Sequence, residues 1–168
     1  SDKEVTMSSD ILLSADGNKA YYLKDPLSIG DLMVFSIPSE TERALYSKVV
    51  KVPEVSAKGG YLVFRSNDRW LLYSTTEDND TPIDQMLVAV KDIAHVSFFG
   101  ENENGIAVLG YDTNGNAMLE LLDLSQKGYN IYLTLKDINE EELVDVQVRD
   151  EADLFFVKTV QNTHVYGY

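Results

Sequence analysis

Short apolar runs alternate with polar turn residues along almost the whole chain. Ile11-Leu12-Leu13 leads through Ala15-Asp16-Gly17-Asn18 into Ala20-Tyr21-Tyr22-Leu23. Runs of about four to eight residues rich in Val, Leu, Phe and Tyr, bounded by Gly, Asn, Asp or Pro, predict strands. Residues 31–37 and 44–52 are separated by the polar stretch Pro38-Ser39-Glu40. Tyr61-Leu62-Val63-Phe64 faces Trp70-Leu71-Leu72-Tyr73 across Asn67-Asp68, and residues 105–111 face 116–122 across Asn114-Gly115. A last hairpin joins Leu154-Phe155-Phe156-Val157 to His164-Val165-Tyr166. Further strands are predicted at residues 86–90, 95–99, 129–135 and 143–148, and loops at 77–82 and 137–142. Helical periodicity is scarce.

The turn pairs begin at residues 16, 67, 114 and 161, at intervals of 51, 47 and 47. An all-β unit recurring at such spacing is the mark of a propeller blade. The expected organisation is a single all-β domain over residues 1–168, with repeats at about 8–55, 56–93, 94–138 and 139–168. That gives a propeller-like array of about four antiparallel blades. Because the last repeat reaches Tyr168 without a fourth strand, the array is incomplete, or is closed by an N-terminal strand at residues 3–7 or by a partner. A piece of a longer polypeptide would read the same way. A β-sandwich or barrel with accidental spacing is the alternative.

One repeat carries more than a period. His95-Val96-Ser97-Phe98-Phe99, residues 106–111, Met118-Leu119-Glu120-Leu121-Leu122-Asp123 and residues 129–135 follow in an order that resembles a divergent WD40 repeat. Leu122-Asp123 stands where Trp-Asp would be. No Gly-His opens a repeat and no Trp-Asp closes one, so the resemblance rests on period and strand order. It implies a propeller.

Charge narrows the partners. The chain has 28 acidic and 14 basic side chains, a net charge of −14. Duplex nucleic acid is bound largely through Lys and Arg on phosphates, and anionic membranes attract basic patches, so neither is an expected partner. No apolar stretch approaches the roughly 20 residues that span a bilayer. The N-terminal Ser-Asp-Lys-Glu-Val is polar and has no signal-peptide core. With no cysteine, disulfides, thiolate metal sites and Cys nucleophiles are all absent. A cytosolic or nuclear location is slightly favoured, though a cysteine-free secreted protein would look the same.

Candidate chemistry is sparse. Asp112, Asn114, Asn116 and Asp123 have the spacing of calcium ligands, but Ala117 stands where that loop needs Gly. A type I′ hairpin at Asn114-Gly115 explains every residue. Glu77-Asp78-Asn79-Asp80 reads as a solvated loop, and Asn79-Asp80-Thr81 fits the glycosylation pattern only in a secretory context. His95 and His164 lie inside predicted strands, where structural roles are expected. A Ser-His-Asp triad forms only in space, and no Gly-x-Ser-x-Gly elbow accompanies these histidines. No catalytic residue, metal ligand or cofactor is assigned, and the chain is expected not to be an enzyme.

Acidic residues concentrate near the end: Asp137, Glu140, Glu141, Glu142, Asp145, Asp150, Glu151 and Asp153, interrupted by Arg149. Such a cluster reads as a solvated face, or as one that steers a basic partner. Trp70 with Tyr73, or Tyr166 with Tyr168, are candidate exposed anchors, because Trp and Tyr are enriched at binding hot spots. The expected partner surface is therefore Glu140, Glu141, Glu142, Asp145, Asp150, Glu151, Trp70 and Tyr166. The expected function is a non-enzymatic interaction or scaffold module, holding a protein that is basic or supplies β-strands. The alternatives are a β-rich hydrolase or carbohydrate-binding domain, and a structural protein assembled through strand edges.

Overall fold

Fifteen strands make up nearly all regular structure in the computed structural model, which describes residues 11–24, 29–50, 53–56, 58–101, 103–126, 130–138, 141–149 and 154–167. They are β1 (Leu12–Leu13), β2 (Lys19–Lys24), β3 (Gly30–Ser36), β4 (Thr41–Val49), β5 (Glu54–Val55), β6 (Tyr61–Ser66), β7 (Arg69–Ser74) and β8 (Asn79–Pro82). A short 3-10 turn at Ile83–Met86 precedes β9 (Asp92–Phe99), β10 (Gly105–Tyr111), β11 (Ala117–Asp123), β12 (Asn130–Thr134), β13 (Leu143–Arg149), β14 (Leu154–Thr159) and β15 (Thr163–Gly167). The chain divides into two compact units, Ser1–Thr81 and Pro82–Tyr168.

In the first unit one sheet runs in the order β1-β2-β3-β4-β6-β7-β8, with β5 beside β6. Its core gathers Tyr21, Leu23, Leu32, Val34, Val49, Leu62, Phe64, Leu71 and Tyr73. Each such fully buried side chain contributes about 1.5–3 kcal/mol through removal of apolar surface from water. Tyr73 and Tyr21 meet edge to face at 6.0 Å between ring centres. The Tyr73 hydroxyl donates to Asp78, whose two carboxylate oxygens also receive Arg43 at 3.2 and 3.3 Å. Burial, and then the bond to Asp78, push the Tyr73 hydroxyl far up.

The second unit holds a four-stranded sheet, β12-β11-β10-β9, and a three-stranded one, β13-β14-β15. Both contribute to one core, with Ala107, Leu109, Leu119 and Leu121 from the first, and Val146, Phe155 and Val157 from the second. β10 and β11 are buried on both faces almost throughout, so they read as continuous apolar runs rather than alternating ones. Among the described residues none of the three sheets closes on itself. The N-terminal strand expected at residues 3–7 lies outside the described residues.

Three expectations are corrected. Residues 86–90 form no strand: after the 3-10 turn the chain is an irregular strap whose N–H groups go to a side chain rather than to a ladder. Residues 77–82, expected as loop throughout, contain β8 after a tight turn in which Asp78 takes φ 53°. The turn at Asn114-Gly115 is not type I′, because only Gly115 has positive φ (80°) and its N–H bonds Asp112 O at 3.1 Å. That is a three-residue loop with a glycine bulge. Type I′ geometry occurs instead at Asn67 and Asp68, with φ of 50° and 62°.

Candidate functional site

Of the described acidic cluster, Asp145 lies in β13 of the three-stranded sheet, Glu141 and Glu142 lead into that strand, and Asp137 lies in the turn after β12. The register of the three-stranded sheet sets two faces. Val148, Phe155 and Tyr166 form one cross-strand row and Val146, Val157 and His164 another, and both rows turn toward the core. Gln147, Phe156 and Val165 form a row on the opposite face. There a shallow groove is lined by Asp145, Val146, Gln147, Phe156, Lys158 and Thr163.

Glu141 is only one-fifth exposed and is committed within the fold. Its Oε2 accepts from Thr159 Oγ1 at 2.5 Å and contacts His164 Nε2 at 2.9 Å. Thr159 Oγ1 in turn accepts from the N–H of Asn162 at 2.9 Å and of Gln161 at 3.3 Å. The cluster therefore pins the β14–β15 turn. The Thr159 hydroxyl, then His164, hold the Glu141 carboxyl below its ordinary range. Hydrogen bonds do the same for Asp112 (from Asn116), Asp123 (from Ser125), Asp78 (from Tyr73) and Asp16 (from Ser14).

In each of these groups the folded carboxyl binds its proton more weakly than the unfolded one. The stability they contribute is present above the unfolded values and lost as pH falls through the folded ones. Thermal unfolding followed by circular dichroism should show their contribution constant from pH 5 to 8 and a falling Tm below about pH 4. An unchanged Tm between pH 5 and 3 would contradict these assignments.

The structure brings a serine, a histidine and an aspartate together, but not as a relay. His95 is 5% exposed. Its Nε2 lies 2.8 Å from Asp145 Oδ1 and 3.0 Å from Ser97 Oγ, and Ser97 Oγ donates to Val146 O at 3.2 Å. A hydrolytic triad places the acid on one ring nitrogen and the nucleophile on the other. Here both partners share Nε2, and the serine proton goes to a backbone carbonyl. The cluster is a clip joining β9 to β13.

The remaining expected partner residues separate. Glu142 is exposed, and its carbonyl accepts Val160 N–H at 3.0 Å. Asp145 keeps 40% of its side chain in solvent beside His95. Tyr166 is half-buried, stacks on Phe155 at 5.1 Å and donates to Lys136 O at 3.1 Å. Burial, and then the charges of Asp137 and Glu141, push its hydroxyl up. Glu140, Asp150 and Glu151 lie outside the described residues. Trp70 is corrected: it is 5% exposed because β7 is buried on both faces, and Tyr73 beside it is 1% exposed. Neither is a surface anchor.

Asp112, a candidate calcium ligand, is engaged by its own turn, accepting from the N–H of Asn114 and Asn116 and from Asn116 Nδ2. No cluster of three or more His, Asp or Glu suited to a metal ion occurs among the described residues. One strongly placed residue escaped the sequence reading. Glu120 is 0% exposed in the middle of β11. Its Oε1 accepts from Val88 N–H at 2.6 Å and Asn130 Nδ2 at 2.8 Å, and its Oε2 from Ala89 and Val90 N–H, both at 2.9 Å. Asn130 also donates to Met86 O at 2.9 Å, so one carboxylate ties the strap and β12 to the sheet. The signal was a lone Glu within Met118-Leu119-Glu120-Leu121-Leu122.

No protein family matches the sequence, and no curated protein matches it either. Solved structures do match by shape. The chain is similar to TolB from Acinetobacter baumannii, with TM-score 0.51 and 11% identity over 91% of this chain and 41% of that one. It is similar to the β-propeller domain of the Trilobed protease from Pyrococcus furiosus, which has an open velcro topology, with TM-score 0.53 and 10% identity over all of this chain and 56% of that one. Porphyromonas gingivalis dipeptidyl peptidase 4 matches with TM-score 0.52 and 11% identity over 95% of this chain and 30% of that one. The chain spans well under two thirds of each of these structures. Identities this low speak to fold alone, and the fold is all-β, antiparallel and propeller-like.

Proposed function

We propose that this chain works by holding another protein and not by catalysis, as a β-propeller-like interaction module. The observation that supports this most is the set of acidic side chains that the second unit leaves in solvent, Asp137, Glu142 and the partly exposed Asp145, the last of them lining a shallow groove on the three-stranded sheet. The arrangement of His95, Ser97 and Asp145 speaks against the hydrolase alternative, since a serine bonded to a carbonyl and sharing Nε2 with the acid is not activated. The finer WD40 likeness fits the order β9-β10-β11-β12, with Leu122-Asp123 closing β11.

The test is chemical cross-linking in extracts of cells that make the protein, with the linked peptides mapped. Exposed Lys136 and Lys158 should link to a common partner, and 1 M salt should weaken that link, because charges separated by more than about 3 Å are largely screened at that ionic strength. Labelling of Ser97 by a fluorophosphonate probe, or no link at either lysine, would overturn the proposal.

A further inference from the structure

We infer that Asn114-Gly115, in the turn between β10 and β11, is a site of self-modification, where the Gly115 nitrogen closes a ring on the Asn114 side chain and expels its amide. The substrate is the chain's own backbone, and water is the second reactant.

Three steps in the sequence place Gly directly after Asn or Asp: Asp16-Gly17, Asn104-Gly105 and Asn114-Gly115. Gly offers its nitrogen without a Cβ in the way. That nitrogen attacks the side-chain carbon Cγ and forms a five-membered imide. From Asn the leaving amide takes up the nitrogen's proton and departs as ammonia, whereas Asp must lose water. Water then opens the imide at either carbonyl, leaving aspartate or isoaspartate. Three conditions follow: the Gly nitrogen must leave its hydrogen bond, the chain must turn about the preceding residue, and the side chain must be held by nothing else.

Asn104-Gly105 fails on the backbone. Leu124 N–H bonds Asn104 O at 2.7 Å, which ties Asn104 to the β11 side. Successive residues of a ladder point to opposite neighbours, so Gly105 bonds toward Phe99 of β9, its partner in register. Gly105 is buried, and the Phe99 ring closes over it: a Cβ there would stand 2.6 Å from Phe99 Cε1. Freeing its nitrogen means opening one end of the sheet.

Asp16-Gly17 fails on the side chain. Its turn has the same frame, with Gly17 N–H on Ser14 O at 3.0 Å where Gly115 N–H meets Asp112 O at 3.1 Å. Asp16 Oδ1, however, accepts from Ser14 Oγ at 2.7 Å and from Asn18 N–H at 2.9 Å. The bond from Ser14, then that from Asn18, hold its carboxyl below the ordinary range, and a carboxylate must gain a proton before it can lose water.

Asn114-Gly115 meets all three conditions. Both residues are exposed, and nothing lies within 4 Å of a Cβ built on Gly115. The Gly115 N–H bond closes one short loop and belongs to no ladder. Asp112 holds the N–H of Asn114 and of Asn116 and the side chain of Asn116. No hydrogen bond among the described residues holds the Asn114 carboxamide. Conversion adds a negative charge beside Asp112. Isoaspartate also routes the main chain through a side-chain methylene, which lengthens the loop that Asp112 caps.

The test is incubation of the purified chain at mildly alkaline pH and body temperature, with chymotryptic cleavage after Tyr111 to separate the two Asn-Gly steps. Mass spectrometry reads the exchange of NH2 for OH in each peptide, and methylation by an isoaspartyl methyltransferase counts isoaspartate. In the folded chain Asn114 should convert about tenfold or more faster than Asn104, which must wait for a local opening of the sheet. In denaturing urea the two rates should converge. Asn114→Gln should stop the reaction in its peptide, since closure would then need a six-membered ring. Equal conversion of both steps in the folded chain would overturn the inference. So would a difference that urea leaves unchanged, which would assign it to sequence neighbours rather than to structure. A mass gain that survives in Asn114→Gln would place the reaction at Asn116 and overturn it too.

Discussion

Replacing Glu120 with Ala is expected to destabilise the second unit by about 3–5 kcal/mol, because breaking a buried, fully bonded charge leaves its donors without partners. The residue is 0% exposed, so no water is at hand to take over. Three consecutive backbone N–H groups, from Val88, Ala89 and Val90, would be orphaned together with one amide hydrogen of Asn130. Glu120→Gln tests the same point with the shape preserved. One of its terminal atoms is a donor, and it must face donors whichever way the amide turns. Both variants should lower Tm, the alanine by roughly 6–20 °C at 2–4 °C per kcal/mol for a domain of this size. Tm values within 2 °C of the parent would show that the strap is not held by this carboxylate.

Gly110→Ala is expected to have the next largest effect, about 3 kcal/mol or more. A Cβ at that position would stand 2.1 Å from the carbonyl oxygen of Asp92 and 2.7 Å from Val90 Cγ1. The first of these is backbone, and it cannot step aside as a side chain would. Gly110 also marks the irregularity where β10 pairs Leu109 with His95 but Gly110 with Ile93. The bulge brings the β9 backbone inward, and only a residue without a side chain fits beneath it. Gly60→Ala is the control, since nothing lies within 4 Å of its Cβ. Urea unfolding should separate the two substitutions clearly. Equal midpoints would refute the close approach.

The hairpins were legible because their ingredients are local. Val, Leu and Tyr runs meeting at Asn67-Asp68 or Asp16-Gly17 specify both the strands and the place where they turn. What the sequence could not show was where the polar groups of an irregular segment go. Residues 86–90 look like a strand, since Met, Leu, Val and Ala suit one. Their amides are satisfied by Glu120, some thirty residues away, and nothing local records that. Trp70 failed for a related reason: hot-spot chemistry can be read from a side chain, but exposure depends on what covers both faces of β7. Of the acidic cluster, Glu141 proved to be held by Thr159 and His164, while Glu142 and Asp145 stay in reach of solvent. Period and strand content were enough for a propeller-like fold, whose determinants repeat. A binding surface is made once, from residues that meet only in space.

The double-sided burial of β10 and β11 has a consequence for how the chain finds its pairing. Strands that are apolar on one face are locked in place, because sliding by one residue would turn that face to water. Strands apolar on both faces lack this safeguard, and a two-residue slip between β10 and β11 would expose almost nothing. It would, however, carry Glu120 about 7 Å along the sheet, away from the amides of Val88, Ala89 and Val90. A shift of β10 against β9 would bring Val108 under the Asp92 carbonyl, where only Gly110 fits. One buried charge and one missing side chain thus select a single alignment from several that hydrophobicity alone would accept.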